Sequence, residues 1–197
     1  MVRVRNNRIN FDSFSLPARP MIGTIGVAPS SGSIASIYPG PHGGNMDCKD
    51  IAPGAKLYLP VQVDGALLAL GDIHASMGDG ETSGGGIDIG ADVRLKVDLL
   101  HGIPIESPIV ETDSLIDIIH NFKTLEGAIR GAVLKSVRFL ESRMGLSAEK
   151  AMALVGAAGD VRICQAAGIP LDVVVRVQLP KSLGISIVGM RERKNQA

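Results

Sequence analysis

Apolar and polar residues alternate most regularly between residues 87 and 99. There Ile87, Ile89, Ala91, Val93, Leu95, Val97 and Leu99 are separated by Asp88, Gly90, Asp92, Arg94, Lys96 and Asp98. Side chains on a strand point alternately to its two faces, so this stretch predicts a strand with one buried and one solvated face, as in an antiparallel sheet. A further strand is predicted over 56–63, with Leu57, Leu59, Val61 and Val63 on one face, and Gly65 then turns the chain into the apolar run 66–70. Val2 and Val4 against Arg3 and Arg5 suggest an edge strand, followed through Pro17 and Pro20 by an extended connector. From 21 to 54 glycine and proline interrupt any period. That stretch reads as a shaped loop, steadied by Ile22, Ile25, Val27, Ile34 and Ile37.

The period then changes. Leu125, Ile129, Val133, Val137 and Leu140 recur near helical spacing and predict a helix over 125–144, with Gly145 as its stop. Ser147 is placed to cap a second helix over 148–157, with Glu149 favourable in its first turn. The pair forms a helical hairpin at about 124–158. After Gly159 the run 173–179 returns to strand and Pro180 closes it. The expected fold is α+β: a mostly antiparallel β-sheet, sandwich or barrel-like, with a late inserted helical hairpin, in a single domain covering 1–197.

Composition narrows the function classes. A length of 197 residues with 45% hydrophobic content is enough to bury a core, and 24 Gly with only 3% aromatics means that aliphatic side chains and tight turns build it. The 20 Lys and Arg balance 20 Asp and Glu. Outside the tail residues Arg191, Arg193 and Lys194 no basic block exists, which argues against nucleic acid as a partner. No run of eighteen apolar residues offers a membrane span, and no apolar run follows the N-terminal charges as in a secretory signal. Cys48 and Cys164 do not make a disulfide framework. These features lead to the expectation of a cytoplasmic protein.

Potential ligands crowd into two Gly-rich segments, Gly40-Pro41-His42-Gly43-Gly44-Asn45-Met46-Asp47 and Gly71-Asp72-Ile73-His74-Ala75-Ser76-Met77-Gly78-Asp79-Gly80-Glu81. In an extended segment Asp72 and His74 share a side, and so do Asp79 and Glu81. Imidazole with carboxylates suits zinc, manganese or iron, and a carboxylate-rich subset suits calcium or magnesium. Turn chemistry accounts for a Gly-Asp-Gly-Glu segment, but turns do not require two histidines. Asp72 and His74 also follow an apolar strand, where an unpaired charge is costly to bury and a metal supplies the partner. No Lys or Arg within these segments is placed to meet a phosphate.

The run Met21-Ile22-Gly23-Thr24-Ile25-Gly26-Val27-Ala28-Pro29, then Pro39-Gly40-Pro41-His42-Gly43-Gly44-Asn45-Met46-Asp47 and Gly71-Asp72-Ile73-His74-Ala75 with Gly78-Asp79-Gly80-Glu81, resembles the acetamidase/formamidase family. Later pieces agree, including Pro108-Ile109-Val110-Glu111-Thr112, Gly159-Asp160-Val161-Arg162-Ile163-Cys164-Gln165 and Leu179-Pro180-Lys181-Ser182-Leu183, so the resemblance covers roughly residues 17–184. It implies hydrolysis of short amides such as formamide or acetamide to the carboxylate and ammonia. Family members carry a further N-terminal segment before the matched part. The resemblance therefore also implies a natural short form, a subunit completed by a partner chain that supplies the segment, or an incomplete domain, and the alternative to a hydrolase is a non-catalytic or partner-completed metal-binding assembly domain of the same fold. At least a homodimer is expected, because sheet edges left without that segment are normally covered.

Amides are poor electrophiles, and a divalent metal polarises the carbonyl and lowers the pKa of bound water toward ~7. His42, Asp47, Asp72 and His74 are the expected metal ligands, with zinc the leading ion and calcium or a second metal the alternative. Asp79 or Glu81 is either a further ligand or the base that moves a proton to the leaving ammonia. Asn45 and the Gly43-Gly44 backbone are candidate donors to the developing oxyanion, with Glu111 a lesser candidate for binding substrate. Cys48, beside Lys49, is a minor candidate for a thiolate nucleophile.

Overall fold

A computed structural model describes residues 2–167 and 171–188. The basic tail lies outside the described residues. At the N-terminus, β1 (Arg3–Arg5), β2 (Arg8–Phe11) and β3 (Phe14–Pro17) form an antiparallel meander. Asn6 and Asn7, with φ of 50° and 58°, make the two-residue turn between β1 and β2, a backbone state that Asn tolerates better than most residues. The expected edge strand is thus present, but the connector after it is two further strands.

The stretch read as a loop holds β4 (Met21–Gly26) and β5 (Gly43–Asn45), which join β7 (Ala69–His74) in an antiparallel sheet of order β5-β4-β7. Burial alternates along β4, with Met21, Gly23 and Ile25 inward. Its glycines are therefore strand residues, not breakers. The second sheet contains β6 (Lys56–Tyr58), β8 (Ile109–Glu111), β9 (Leu115–Phe122), β10 (Asp160–Gln165) and β11 (Val173–Pro180), in the antiparallel order β10-β11-β9-β8-β6. The strand expected over 56–63 stops at Tyr58, two residues before Pro60, which has no N–H to give a ladder. The run 66–70 begins as a turn, Ala66 and Leu67 having positive φ, and only Ala69 and Leu70 enter β7.

The helices follow their local signals. Helix α1 (Leu125–Met144) is capped by the Thr124 side chain and stopped by Gly145 at φ 66°, while Ser147 caps α2 (Ala148–Ala158). Both pack on one face of the five-stranded sheet. Ile116, Ile118, Val175, Val177 and Leu179 meet Ala128, Ala132, Leu140, Ala151 and Val155 there. On the other face Val110, Ile119, Val174 and Cys164 meet Ile25, Met46, Cys48 and Ile51 around the first sheet. The period-two alternation of β9 and β11 serves two buried faces, so the architecture is helices, five-stranded sheet, three-stranded sheet: α+β and mostly antiparallel, as expected. Among the described residues no helix is long and apolar enough to cross a membrane.

The most regular alternation in the sequence does not become a strand. Hydrogen bonds Ala75 N–H to Ile87 O (2.7 Å), Ile87 N–H to Ser76 O (3.1 Å) and Ile89 N–H to Ile73 O (2.9 Å) lay its start beside β7. Beyond Ile89 the chain runs to Leu100 with no turn or bend and no ladder. Alternation dictates which side chains share a face, but a strand also needs a neighbour's N–H and C=O groups. Among the described residues none is beside 90–99.

Candidate metal and catalytic site

The acid and imidazole groups meet where β4, β5 and β7 present their ends and the 78–88 loop folds back. Asp47, two residues past the end of β5, has φ 46° and is almost fully buried. Its Oδ2 accepts from Asn45 Nδ2 at 2.7 Å, and Asn45 Oδ1 accepts from the Thr24 hydroxyl at 2.5 Å. Because a carboxylate only accepts, this chain orients the Asn45 amide and commits one of its hydrogens to Asp47. Asp47 Oδ1 is left buried without a hydrogen bond. Burial, then Glu81 and Asp72 nearby, raise the Asp47 carboxyl to about 7.

His74 is also buried, with Nε2 3.2 Å from Asp72 Oδ1 and 3.3 Å from Asp88 Oδ1, while its Nδ1 has no partner. Two groups of possible ligands therefore share His74: Asp47, His74 and Glu81, and Asp72, His74 and Asp88, with ligand atoms within 4.8 Å of one another in each. Burial, with Asp72 adding to it, raises the Glu81 carboxyl above its ordinary range. Glycines make room for these groups. A Cβ on Gly23 would stand 2.6 Å from Asp72 Oδ2 and 2.7 Å from Asp47 Oδ1, and one on Gly86 2.5 Å from His74 Nδ1.

Asp79 and Glu81 do not share a side, because Gly80 (φ 91°) and Glu81 (φ 44°) form a turn and not an extended segment. Glu81 enters the cluster. Asp79 instead takes two hydrogen bonds from Arg176, at 2.9 and 3.1 Å, and pairs with Lys49 at 2.8 Å. Burial pushes its carboxyl up, but these hydrogen bonds outweigh that and hold it below the usual range. Arg176 is itself buried, its Nε 2.8 Å from Asp50 and 3.8 Å from Asp117.

His42 is buried in a cage of glycines, where a Cβ on Gly40 would lie 2.7 Å from its Nδ1 and one on Gly44 3.0 Å from its Nε2. It joins none of the ligand groups found among the described residues. Gly43 and Gly44, at φ 98° and 81°, lie in β5, and the Gly43 N–H is taken by Gly40 O at 3.0 Å. Glu111 lies on β8 of the other sheet, accepting from the Tyr58 hydroxyl and from Lys181 Nζ, both at 2.6 Å. The Cys48 thiol is fully buried, and the adjacent Cys164 thiol together with burial pushes it well above its ordinary value, which removes the thiolate a nucleophile needs.

Asp88 and Arg176 were missed in the sequence. Asp88 counted as a solvent-side position of the alternating stretch. Arg176 interrupts a Val-rich run, and a lone guanidinium in such a run signals buried carboxylates.

Comparison with known proteins gives the family context. The model of the Acetamidase/Formamidase family matches residues 30–184. A formamidase of Methylophilus methylotrophus is 30% identical over a match covering 62% of this chain and 35% of that protein. The crystal structure of an acetamidase from Bacillus halodurans superposes with a TM-score of 0.85 at 39% identity, covering 93% of this chain and 62% of that one. A predicted acetamidase/formamidase from Thermoanaerobacter tengcongensis gives 0.89 at 38% identity, covering 92% and 60%. This chain thus spans about a third of the curated formamidase and three fifths of the two solved relatives.

Proposed function

The chain belongs to the acetamidase/formamidase family, and from that premise we propose that it hydrolyses short aliphatic amides, of the formamide and acetamide type, to the carboxylate and ammonia with the help of zinc. The observation that carries the metal is the pair of orphaned buried atoms, Asp47 Oδ1 and His74 Nδ1, in a cluster otherwise composed of carboxylates. Like charges so close need a cation or a proton between them. The donor set of one imidazole and several carboxylates fits a divalent ion, with Asp47, His74 and Glu81 holding it and Asp72 and Asp88 beside them. Bound there, the ion supplies Lewis acidity toward the amide carbonyl and toward water.

The remaining work falls to the chain's own groups. Asn45 locks Asp47 and keeps one amide hydrogen for the oxyanion that develops on the carbonyl oxygen. Between the two acidic candidates, the ion pairs of Asp79 leave it a brace for the 78–81 turn, while Glu81, inside the cluster, is the one placed as a further ligand. Ammonia release from formamide and acetamide by the zinc-loaded chain tests this reading. His74→Ala should lose both zinc and turnover, and full turnover by that variant would sink it.

A second reading is a partner-completed assembly domain of the same fold. It is favoured by the open side of the cluster, where the Asp88 side chain is 78% exposed. Self-association is a separate expectation, which light scattering checks: at least a dimer, against a clean monomer.

A further inference from the structure

The two segments that bring Asp47 and Glu81 into the cluster are tied to each other by residues outside it. Asp47 leads on to Lys49 and Asp50, and Asp79 precedes Glu81 by two residues. Lys49 Nζ lies 2.8 Å from Asp79 Oδ2, which joins the segments directly. The Arg176 guanidinium joins them a second time. Its Nε is 2.8 Å from Asp50 Oδ2, and its Nη1 and Nη2 donate to the two Asp79 oxygens at 2.9 and 3.1 Å. The planar fork of a guanidinium fixes direction as well as distance, so Asp50 and Asp79 are held in one orientation. Beyond Asp79 the turn is anchored on β10, with Gly80 N–H donating to Cys164 O at 3.0 Å and Ala166 N–H to Gly80 O at 3.1 Å. Strand β10 pairs with β11, which carries Arg176.

Such ties answer a need of the cluster. The ligand oxygens of Asp47 and Glu81 lie within 4.8 Å of one another and repel when both are ionised, which drives the 78–81 turn outward. We infer that Lys49 and Arg176 are positioning residues, a clasp that fixes Glu81 against Asp47 so that both carboxylates meet one divalent ion. This deepens the metal reading of the site and rests on it, adding residues that touch neither ion nor substrate. Arg176 also holds the buried interior together. Lys49, in contrast, is 40% exposed and its Asp79 partner 26%, so their pairing adds little to stability. At Lys49, therefore, positioning separates from folding. Charge and clasp also predict opposite signs there. Removing a cation near the cluster relieves its repulsion of an incoming ion and tightens binding, whereas opening the clasp weakens binding.

The test compares the full wild-type chain with Lys49→Met, which keeps the apolar stem without the charge, and Lys49→Arg, which keeps the charge. Zinc affinity is read by calorimetric titration, and amide exchange by NMR on the metal-free protein. Lys49→Met should bind zinc at least ~10-fold more weakly, the usual effect of losing a partner that supports a ligand, with a melting temperature close to that of the wild type. Without metal, its Gly80 and Ala166 amides should exchange about three- to fivefold faster, the range an exposed ion pair reaches through local opening. Lys49→Arg should restore both. Zinc binding that is unchanged or tighter in Lys49→Met would overturn the inference, as would Gly80 and Ala166 amides that exchange as in the wild type, or losses that Lys49→Arg does not restore. A wild-type chain that takes up no zinc would sink the metal reading, and amide exchange in the metal-free variants would still decide the clasp.

Discussion

Gly23→Ala introduces one carbon atom at the point where β4 passes behind two cluster carboxylates. The backbone there is ordinary strand, so the change acts by volume and not by strained φ. The new Cβ would lie 2.6 Å from Asp72 Oδ2, 2.7 Å from Asp47 Oδ1 and 2.9 Å from Asp72 O, where ordinary contact begins near 3.4 Å. The carboxylate oxygens must retreat by about 0.7–0.8 Å, several times the ~0.2 Å tolerance of a metal–ligand distance. Asp72, partly exposed, can swing outward. Asp47, fixed by Asn45 and buried, cannot move without disturbing β5. The expected outcome is a stability loss of about 1–3 kcal/mol from overpacking. With it comes a fall in zinc affinity of at least ~10-fold, as for lost ligand support. Calorimetric zinc titration and urea unfolding measure the two effects. Gly71→Ala, on neighbouring β7 with nothing within 4 Å of the new Cβ, is the control and should bind zinc like the wild type. Gly23→Ala with unchanged zinc affinity and unchanged urea midpoint would refute the account of why glycine stands there.

Arg176→Met leaves Asp50, Asp79 and Asp117 without their shared cation, and urea unfolding should show a loss of about 3–5 kcal/mol; a loss below ~1 kcal/mol would mean that the acids find other partners. For Glu111, burial raises the carboxyl, but hydrogen bonds from Lys181 and Tyr58 outweigh it and the folded value lies below the ordinary 4.5. A depressed folded value gives stability that is present above pH 4.5 and lost as pH falls through the folded value, so the gap in melting temperature between wild type and Glu111→Gln should be full at pH 7 and shrink well below pH 4.5. A gap independent of pH would contradict this. Cys48→Ala should keep ammonia release in proportion to folded, zinc-loaded protein, whereas loss of turnover at full zinc content would revive the thiolate route.

How much of this was legible in the sequence depends on how local each signal is. The helices appear where expected because Thr124, Gly145 and Ser147 act within a turn of the residues they cap. Strands depend on neighbours far along the chain. The alternation at 87–99 was read correctly as a two-faced segment and wrongly as a paired one, because no sequence rule reports whether the opposite edge is filled. In 21–54 the glycines hid β4 and β5, since Gly23 is demanded by Asp47 and Asp72, which lie 24 and more residues away, and not by a turn. Asp47, Asp72, His74 and Glu81 were legible as a crowd and do come together. His42 was grouped with them through its Gly-rich segment and Glu111 was named beside them as a lesser substrate-binding candidate, and the structure holds both in other surroundings. The sharing of Asp79 with Arg176 arises from a contact 97 residues apart.

Elemental analysis of the purified chain by mass spectrometry, run beside ammonia release from formamide and acetamide, bears on all of this at once. The account predicts stoichiometric zinc in the wild-type chain, its loss in His74→Ala, and turnover that rises and falls with zinc content. A chain that retains no divalent metal after zinc loading, or that releases ammonia at full rate without it, would contradict the assignment of the Asp47, His74 and Glu81 cluster.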